Sequence, residues 1–221
     1  MADSLPPMRS GPRDGTLKMG GGRGEQQVRA FISIESPAEV KTALSRVRDR
    51  LGSRFSFVRW VDPAAMHLTL KFLGDVEREK IESVVDAMRQ AASGIAAFSL
   101  ETTGLGMFPN ARQPRVLWVG IVGDTGTLML LQDRVEMVVS PLGFPREARP
   151  FTAHLTLARV RDGASGPDRA EFGERVGKLS WEAKLSIPVG ALSLMRSELK
   201  REGAIYTRLA EVKLGGGSGE A

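Results

Sequence analysis

The residues of this chain best suited to chemistry at neutral pH are its only two histidines, His67 and His154. Each is followed by the same three residues, Leu-Thr-Leu. For one histidine, independent draws on the composition would give this match with a probability on the order of one in thousands. The two tetrapeptides lie 87 residues apart. This spacing indicates an internal duplication with two pseudo-equivalent lobes.

Each motif has the composition of a strand, in which successive side chains point to opposite faces. In the first copy one face carries His67, Thr69 and Lys71, and the other carries Leu68, Leu70 and Phe72. In the second copy one face carries Thr152, His154 and Thr156, and the other carries Phe151, Ala153, Leu155 and Leu157. We expect the leucines to anchor both strands in the core, while the histidines and threonines point together into a cleft.

An imidazole and a hydroxyl at positions i and i+2 of a strand are about 6.5–7 Å apart along the backbone, so they can converge on a small tetrahedral anion. One neutral imidazole can take a proton from an attacking water, while a protonated one donates to the leaving oxygen. Histidine has an unperturbed pKa of about 6.5, so both forms coexist near neutral pH. The pair therefore predicts cleavage of a phosphodiester.

Other interpretations of the histidines remain open. A single histidine on a half-buried strand is usually structural, although the repetition argues against that here. A catalytic zinc site generally uses three protein ligands, and neither strand adds an acidic residue. A module that binds RNA or nucleotides without catalysis is a further alternative, one that loss of either histidine would have favoured.

The composition is that of a globular protein. The net charge is +5 and the pI about 9.9, which suits a phosphorylated partner such as RNA but also fits an arginine-rich solvated surface. There are no cysteines, so disulfides and thiolate chemistry are excluded. The chain contains no apolar run long enough to span a membrane and no secretory signal at residues 1–27. We expect a cytoplasmic monomer with no membrane partner.

Strand and helix patterns alternate along the chain and predict an α+β fold. Residues 1–27 are predicted to be disordered, 28–213 to fold and 214–221 to form a flexible tail. The first helix is expected to start with Ser36 as N-cap and Pro37 at the first helical position, and to stop at Gly52. Further helices are predicted at 77–92, 128–139 and 169–176. Strands are predicted at 28–34, 55–61, 66–72, 98–105, 115–121, 150–160, 184–197 and 205–213.

The chain resembles the two-histidine phosphoesterases, and most closely the RNA 2′,3′-cyclic phosphodiesterases, also called 2′-5′ RNA ligase-like proteins. The resemblance rests on the paired His-x-Thr-x motifs at 67–70 and 154–157 and covers residues 28–213 in order. The surrounding sequence also matches, in the stretches RAFISIE, WVDPAAMHLTLKFLGDV, FPNARQPRVLWVGI, PFTAHLTLARV and LSLMRSELKREGAIYTRL.

The resemblance implies a bilobal fold of duplicated antiparallel sheets with outer helices, pseudo-two-fold symmetry and a central groove. It implies hydrolysis of RNA 2′,3′-cyclic phosphate ends to 2′-phosphomonoesters, without a metal or nucleotide cofactor. Carried over by position, His67 is the proton donor and His154 the proton acceptor, although pseudo-symmetry makes the two roles nearly interchangeable. Joining RNA ends through a 2′-5′ linkage would use the same two imidazoles, so the sequence does not separate the two directions.

The resemblance also implies that Thr69, Thr156 and Arg159 bind the phosphate. Strict alternation places Arg159 on the leucine face, so it reaches the site only if the strand ends or bulges before it. Lys71 is expected to be a solvated lysine on the face of His67. The aromatic residues near these strands are expected to be core residues rather than stacking platforms for bases: Phe31, Phe108, Trp118 and Phe151.

Overall fold

A computed structural model describes residues 26–51, 54–179, 181, 183–199 and 204–215. Its helices are α1 (Ala38–Leu51), α2 (Ile81–Ala92), α3 (Thr125–Val139) and α4 (Gly166–Gly177). Its strands are β1 (Gln27–Glu35), β2 (Val58–Trp60), β3 (His67–Glu77), β4 (Phe98–Phe108), β5 (Val116–Gly123), β6 (His154–Val160), β7 (Ser186–Val189), β8 (Ala191–Leu199) and β9 (Ala204–Lys213). Short 3-10 turns cover Pro63–Ala65, Arg78–Lys80 and Ser140–Leu142.

The described strands form one antiparallel sheet with a pseudo-two-fold axis at its centre. The strand order is β7-β4-β5-β6-β3-β1-β8-β9. Strand β2 pairs with residues 158–160 of β6, beyond the point where β6 meets β3. The two motif strands, β3 and β6, meet at a single residue pair, Leu68 with Leu155. These leucines occupy the same place in the two motifs, 87 residues apart. A pairing between equivalent residues puts the axis between them.

Each lobe of the sheet draws strands from both halves of the sequence. One lobe consists of β3, β1, β8 and β9, and the other of β6, β5, β4 and β7. Strand β4 follows the first motif in the chain but pairs with β5 of the second repeat. Strand β8 lies near the end of the chain but pairs with β1. The predicted α+β fold with duplicated antiparallel sheets and outer helices is confirmed. The exchange of β4 and β8 between the repeats was not predicted.

Apolar side chains at helical spacing attach the helices to the sheet. Helix α1 buries Val40, Leu44, Val47 and Leu51, which recur every three or four residues as an amphipathic helix requires. Helix α2 packs against α3 and against β8 and β9. Helix α4 begins with a capping box formed by Ser165 and Asp168. No described helix is both long and apolar enough to cross a membrane.

Several predicted elements differ in their limits. The predicted strand at 55–61 is reduced to three residues because a turn, in which the Val58 amide donates to the Phe55 carbonyl at 2.9 Å, precedes it. The strand predicted at 150–160 begins only at His154. The two predicted closing strands are three, β7 to β9. The Ser36 hydroxyl is buried without a hydrogen-bond partner, so it does not cap α1.

The predicted terminal segments and the predicted helix stop remain predictions. Gly52 lies outside the described residues. Most residues of the predicted segments 1–27 and 214–221 also lie outside them. Of the first segment, residue 27 already belongs to β1.

Candidate active site

His67 opens β3 directly after the 3-10 turn Pro63–Ala65. Asp62 caps this turn by accepting a hydrogen bond from the Ala64 amide at 2.8 Å. The Nδ1 atom of His67 lies 2.7 Å from the Ala65 carbonyl oxygen, two residues earlier. A carbonyl oxygen can only accept, so Nδ1 carries the proton. In the neutral ring Nε2 then carries the lone pair, and this is the nitrogen available for chemistry.

His154 has the same local geometry at the start of β6. Its Nδ1 atom lies 2.7 Å from the carbonyl oxygen of Thr152, again two residues earlier. The same argument assigns the proton to Nδ1 and leaves Nε2 for chemistry. The two repeats therefore hold both rings in one tautomer by the same backbone contact.

All five residues predicted for the site line a single cavity of about 920 Å³: His67, Thr69, His154, Thr156 and Arg159. The motif strands that supply them adjoin at the sheet centre. The leucines between them are buried, Leu68 and Leu70 in the first motif and Leu155 and Leu157 in the second. The predicted division into a core face and a cleft face therefore holds within each tetrapeptide.

Arg159 reaches the cavity because β6 bulges before it. Ala158 and Thr156 lie opposite neighbouring residues of β5, numbers 117 and 118, so Leu157 is an extra residue. An extra residue shifts the alternation by one position. The shift returns Arg159 from the leucine face to the face of His154 and Thr156. Its side chain is exposed and lines the cavity.

Burial dominates the electrostatics of both rings. The pKa of His67 is lowered to about 4, mainly by desolvation and also by the positive charges of Lys41 and Arg159. The hydrogen bond to the Ala65 carbonyl and the charge of Glu35 oppose it. Burial also lowers the pKa of His154, with Arg159 as the contributing charge. Both rings are therefore neutral in the free protein at pH 7.

This arrangement is suited to proton transfer around a bound anion. Arg159 and the two threonine hydroxyls can donate hydrogen bonds to an anion between the rings. A negative charge at that place favours the imidazolium form, so it would raise the pKa of both histidines. Among the described residues, no group of three or more histidine or acidic side chains could hold a metal ion.

Comparison with known proteins identifies the family. The sequence model of the LigT like phosphoesterases matches residues 34–118 and, a second time, residues 119–206. The chain belongs to the LigT-like phosphoesterase family. The two consecutive matches agree with the internal duplication that the two motifs predicted.

Individual relatives cover most of the chain. A protein of Methanothermobacter thermautotrophicus named RNA 2′,3′-cyclic phosphodiesterase is 35% identical over 189 residues, which are 85% of this chain and all of that protein. The crystal structure of TT0787 of Thermus thermophilus is similar at a TM-score of 0.70 and 30% identity, covering 85% of this chain and 99% of that one. The E. coli LigT structure with 3′-AMP, at 24% identity and a TM-score of 0.69, covers 86% of this chain and 99% of that one and supports the fold.

Lys71 of this LigT-like phosphoesterase does not lie where alternation predicted. It lies opposite residue 32 of β1 while Thr69 lies opposite residue 33, so Leu70 is an extra residue. The bulge turns the side chain of Lys71 into the protein, where only 2% of it is exposed. The prediction of a solvated lysine is therefore wrong, although Lys71 contributes to the lining of the cavity that holds His67. The lysine forms a buried ion pair with Glu136 instead.

Phe72 lines the cavity, although strict alternation predicts it on the leucine face. The bulge at Leu70 returns it to the face of His67, and 59% of its surface is exposed. Phe72 and Arg159 are equivalent positions of the two LigT-like repeats, 87 residues apart. The internal repeat could have predicted this position. If a bulge brings Arg159 to the site in the second repeat, an equivalent bulge in the first repeat brings Phe72 there.

Other aromatic residues support the histidines. Phe31 is buried as predicted and stacks on His67, with ring centroids 4.5 Å apart and planes at 23°. Tyr206 contacts the same imidazole edge-on at 5.0 Å and lines the cavity. Phe108 meets His154 edge-on at 5.2 Å and also lines the cavity, so it is not a pure core residue. Phe151 lines the cavity as well.

Two further arginines line the cavity, Arg115 before β5 and Arg149 in the loop before β6. Neither lies in a motif, and the sequence offered only its general arginine content as a signal. Together with Arg159 they make the wall on the side of the second repeat basic. Aromatic residues line both sides, Phe72 and Tyr206 near His67 and Phe108 and Phe151 near His154.

Proposed function

We propose that this protein hydrolyses the 2′,3′-cyclic phosphate at the end of an RNA to a 2′-phosphomonoester, without a metal or nucleotide cofactor. The observation that carries the proposal is the symmetric pair of imidazoles, each held as the Nδ1–H tautomer on one cavity that also contains Thr69, Thr156 and Arg159. Family membership supports it, because relatives along most of the chain are named RNA 2′,3′-cyclic phosphodiesterase.

In the proposed reaction His154 is the general base and His67 the general acid. Nε2 of His154 takes a proton from a water molecule as the water oxygen bonds to phosphorus. The bond between phosphorus and the 3′ oxygen breaks, and the protonated Nε2 of His67 gives its proton to that oxygen. The product is a 2′-phosphate and a 3′-hydroxyl. One proton returns from His154 to His67 through solvent before the next turnover.

The difference between the two cavity walls supports this division of roles. Both ester oxygens of a cyclic phosphate belong to the ribose, so the leaving oxygen lies on the side of the nucleoside and the attacking water lies opposite. An aromatic surface suits a nucleoside, because bases stack on aromatic side chains. Phe72, on the strand of His67, is 59% exposed, whereas the aromatic residues of the cavity near His154, Phe108 and Phe151, are half-buried. The histidine on the side of Phe72 is the one placed to protonate the leaving oxygen.

Thr69, Thr156 and Arg159 are proposed to hold the non-bridging phosphate oxygens. Charge on these oxygens changes during attack, and preorganised donors are effective in stabilising it. The phosphate charge also has a second effect, since it raises the pKa of His67 from about 4 and lets this ring carry the proton that it must donate.

RNA is the proposed partner, through its cyclic phosphate end. A cytoplasmic location and a monomeric state stay predictions from the sequence.

The experiment that tests the proposal uses an oligonucleotide that ends in a 2′,3′-cyclic phosphate, incubated with the protein in EDTA. Chromatography against 2′- and 3′-phosphate standards identifies the product. We expect the 2′-phosphate, and we expect His67→Ala and His154→Ala each to lower kcat by about 10²- to 10⁴-fold, the usual contribution of a general acid or base. Circular dichroism of both variants controls for folding.

Three results would contradict the proposal. A 3′-phosphate product would exchange the leaving oxygen, and near-normal turnover by both single variants would exclude the two-histidine mechanism. If the wild-type protein left the cyclic phosphate intact, the substrate assignment would be wrong.

A further inference from the structure

A buried ion pair connects the strand of the first motif to the second repeat. The Lys71 Nζ lies 2.8 Å from Oε2 of Glu136 on α3, and the two side chains are 2% and 5% exposed. Nζ also donates to the Pro145 carbonyl at 2.5 Å. Glu136 additionally accepts hydrogen bonds at 3.3 Å from the Gln132 side chain and from the Glu147 amide.

The fold does not require a charged pair at this place. Ala158 occupies the position of Lys71 in the second repeat and is fully buried. Asp49, 87 residues before Glu136, has a side chain that is 63% exposed and pairs with its neighbour Arg48. A buried ion pair is often no more stabilising than apolar residues of similar volume. A contribution to folding stability therefore does not explain why this ion pair is present. Its contacts with other residues indicate its role.

Those contacts hold the loop that leads into β6. Residues 143–153 contain no helix or strand. Near its start the loop is held at the Pro145 carbonyl by Lys71 and at the Glu147 amide by Glu136. At its end is Thr152, whose carbonyl fixes Nδ1 of His154.

The first repeat fixes its corresponding carbonyl in another way. Ala65 belongs to a regular 3-10 turn that Asp62 caps, and Lys41 donates to the neighbouring Ala64 carbonyl at 3.2 Å. The residues before His154 have no such turn. The loop before His154 is held instead by contacts with the rest of the fold. Phe151 and Ala153 pack against the core, Arg146 pairs with Asp133, and the Lys71–Glu136 pair provides the buried polar tether.

We propose that Lys71 and Glu136 are positioning residues for His154: they hold residues 145–152 so that the Thr152 carbonyl keeps the His154 ring in its Nδ1–H tautomer. The first motif thereby supplies, besides its own histidine, the support for the histidine of the second motif. The catalytic consequence rests on the proposed function, in which His154 must present an unprotonated Nε2 to water. The structural part stands without it.

The test removes both charges together, because a single substitution would leave one buried charge unpaired. The double variant Lys71→Met/Glu136→Met replaces both residues by apolar side chains of similar volume. It removes the hydrogen bonds to the Pro145 carbonyl and from the Glu147 amide. The chain has two histidines, so a ¹⁵N-histidine sample has four ring nitrogens, and spectra above pH 7 report the tautomer of each ring. We expect His154 to change from a single tautomer to a mixture while His67 stays unchanged.

Kinetics on the cyclic-phosphate oligonucleotide provide the second readout. We expect kcat of the double variant to fall on the order of 10- to 100-fold with little change in KM, since a small displacement of a catalytic group has effects of that size. The control is Lys178→Met/Glu174→Met, which removes an exposed ion pair of α4 and should alter neither tautomer nor kcat.

An unchanged His154 tautomer together with unchanged kcat in the folded double variant would overturn the proposal. If this double variant does not fold, Lys71→Leu/Glu136→Leu, which also removes both charges and both loop contacts, is judged by the same two readouts. The tautomer measurement needs no substrate. A wild-type protein that fails to hydrolyse the cyclic phosphate would therefore refute the proposed function without deciding the positioning role.

Discussion

At the two histidines, burial and hydrogen bonding act on the pKa in opposite directions. Desolvation disfavours the charged ring, while the hydrogen bond from Nδ1 to a backbone carbonyl favours it. Burial is the larger effect at both sites, and Arg159 adds to it. Both rings of the free protein are thus unprotonated near neutral pH, and in the proposed reaction the charge of a bound phosphate favours the protonated ring that donates.

An NMR titration of the free protein tests this balance. As the pH falls, we expect His67 to gain its proton only near pH 4, and His154 to gain its proton below the unperturbed value of about 6.5. Replacing Arg159 by Met removes a nearby positive charge, so both midpoints should move to higher pH. The Arg175→Met variant, which removes an arginine on α4, should leave both midpoints in place. Midpoints at or above 6.5 in the wild type would contradict the account.

At the scale of single strands, alternation predicted the site correctly up to the fourth residue of each motif and failed at the fifth. The histidines, threonines and leucines lie on the predicted faces, because a strand with a period of two determines them. The bulges at Leu70 and Leu157 are set by pairing with β1 and β5, distant strands that no local pattern identifies. The burial of Lys71 and the exposure of Phe72 could not be predicted for that reason.

The pairing of β4 with β5 gives a further prediction at this scale. Gly106 lies directly opposite Trp118, and a Cβ added at Gly106 would be 2.2 Å from the indole ring. Trp118 in turn packs against Phe108 at 5.0 Å and lies 6.2 Å from His154. Gly106→Ala should therefore displace the indole and destabilise the protein by about 1–3 kcal/mol, as overpacking does.

Urea denaturation measures this effect, with Gly104→Ala as the matched control. A Cβ at Gly104 meets nothing within 4 Å, so the control should be as stable as the wild type. If Gly106→Ala were as stable as Gly104→Ala, the packing of the Trp118 indole would not require a glycine at position 106.

At the scale of the whole molecule, the repeat spacing predicted two lobes but not the strands that compose them. A spacing of 87 residues shows that two units exist. It carries no information on whether β4 pairs within its own repeat or with the other one, because this depends on long-range contacts. The observed exchange of β4 and β8 makes each lobe depend on both halves of the chain.

Differences between the side chains of the two repeats make the cavity asymmetric. Equivalent positions carry Phe72 on one side and Arg159 on the other, so the two walls differ in chemistry although their backbones correspond. A symmetric cleft would accept a cyclic phosphate in two orientations. In the proposed reaction the exposed Phe72 beside His67 favours one of them, and this preference supports the proposed assignment of acid and base.

The measurement that tests this assignment most directly uses a 2′,3′-cyclic phosphate in which sulfur replaces the 3′ oxygen. A thiolate leaves without protonation, because a thiol has a pKa of about 8.5. We expect His67→Ala to cleave this substrate at close to the wild-type rate, although it loses about 10²- to 10⁴-fold on the oxygen substrate. We expect His154→Ala to remain slow on both. Recovery of His154→Ala instead, or of neither variant, would contradict the proposed roles.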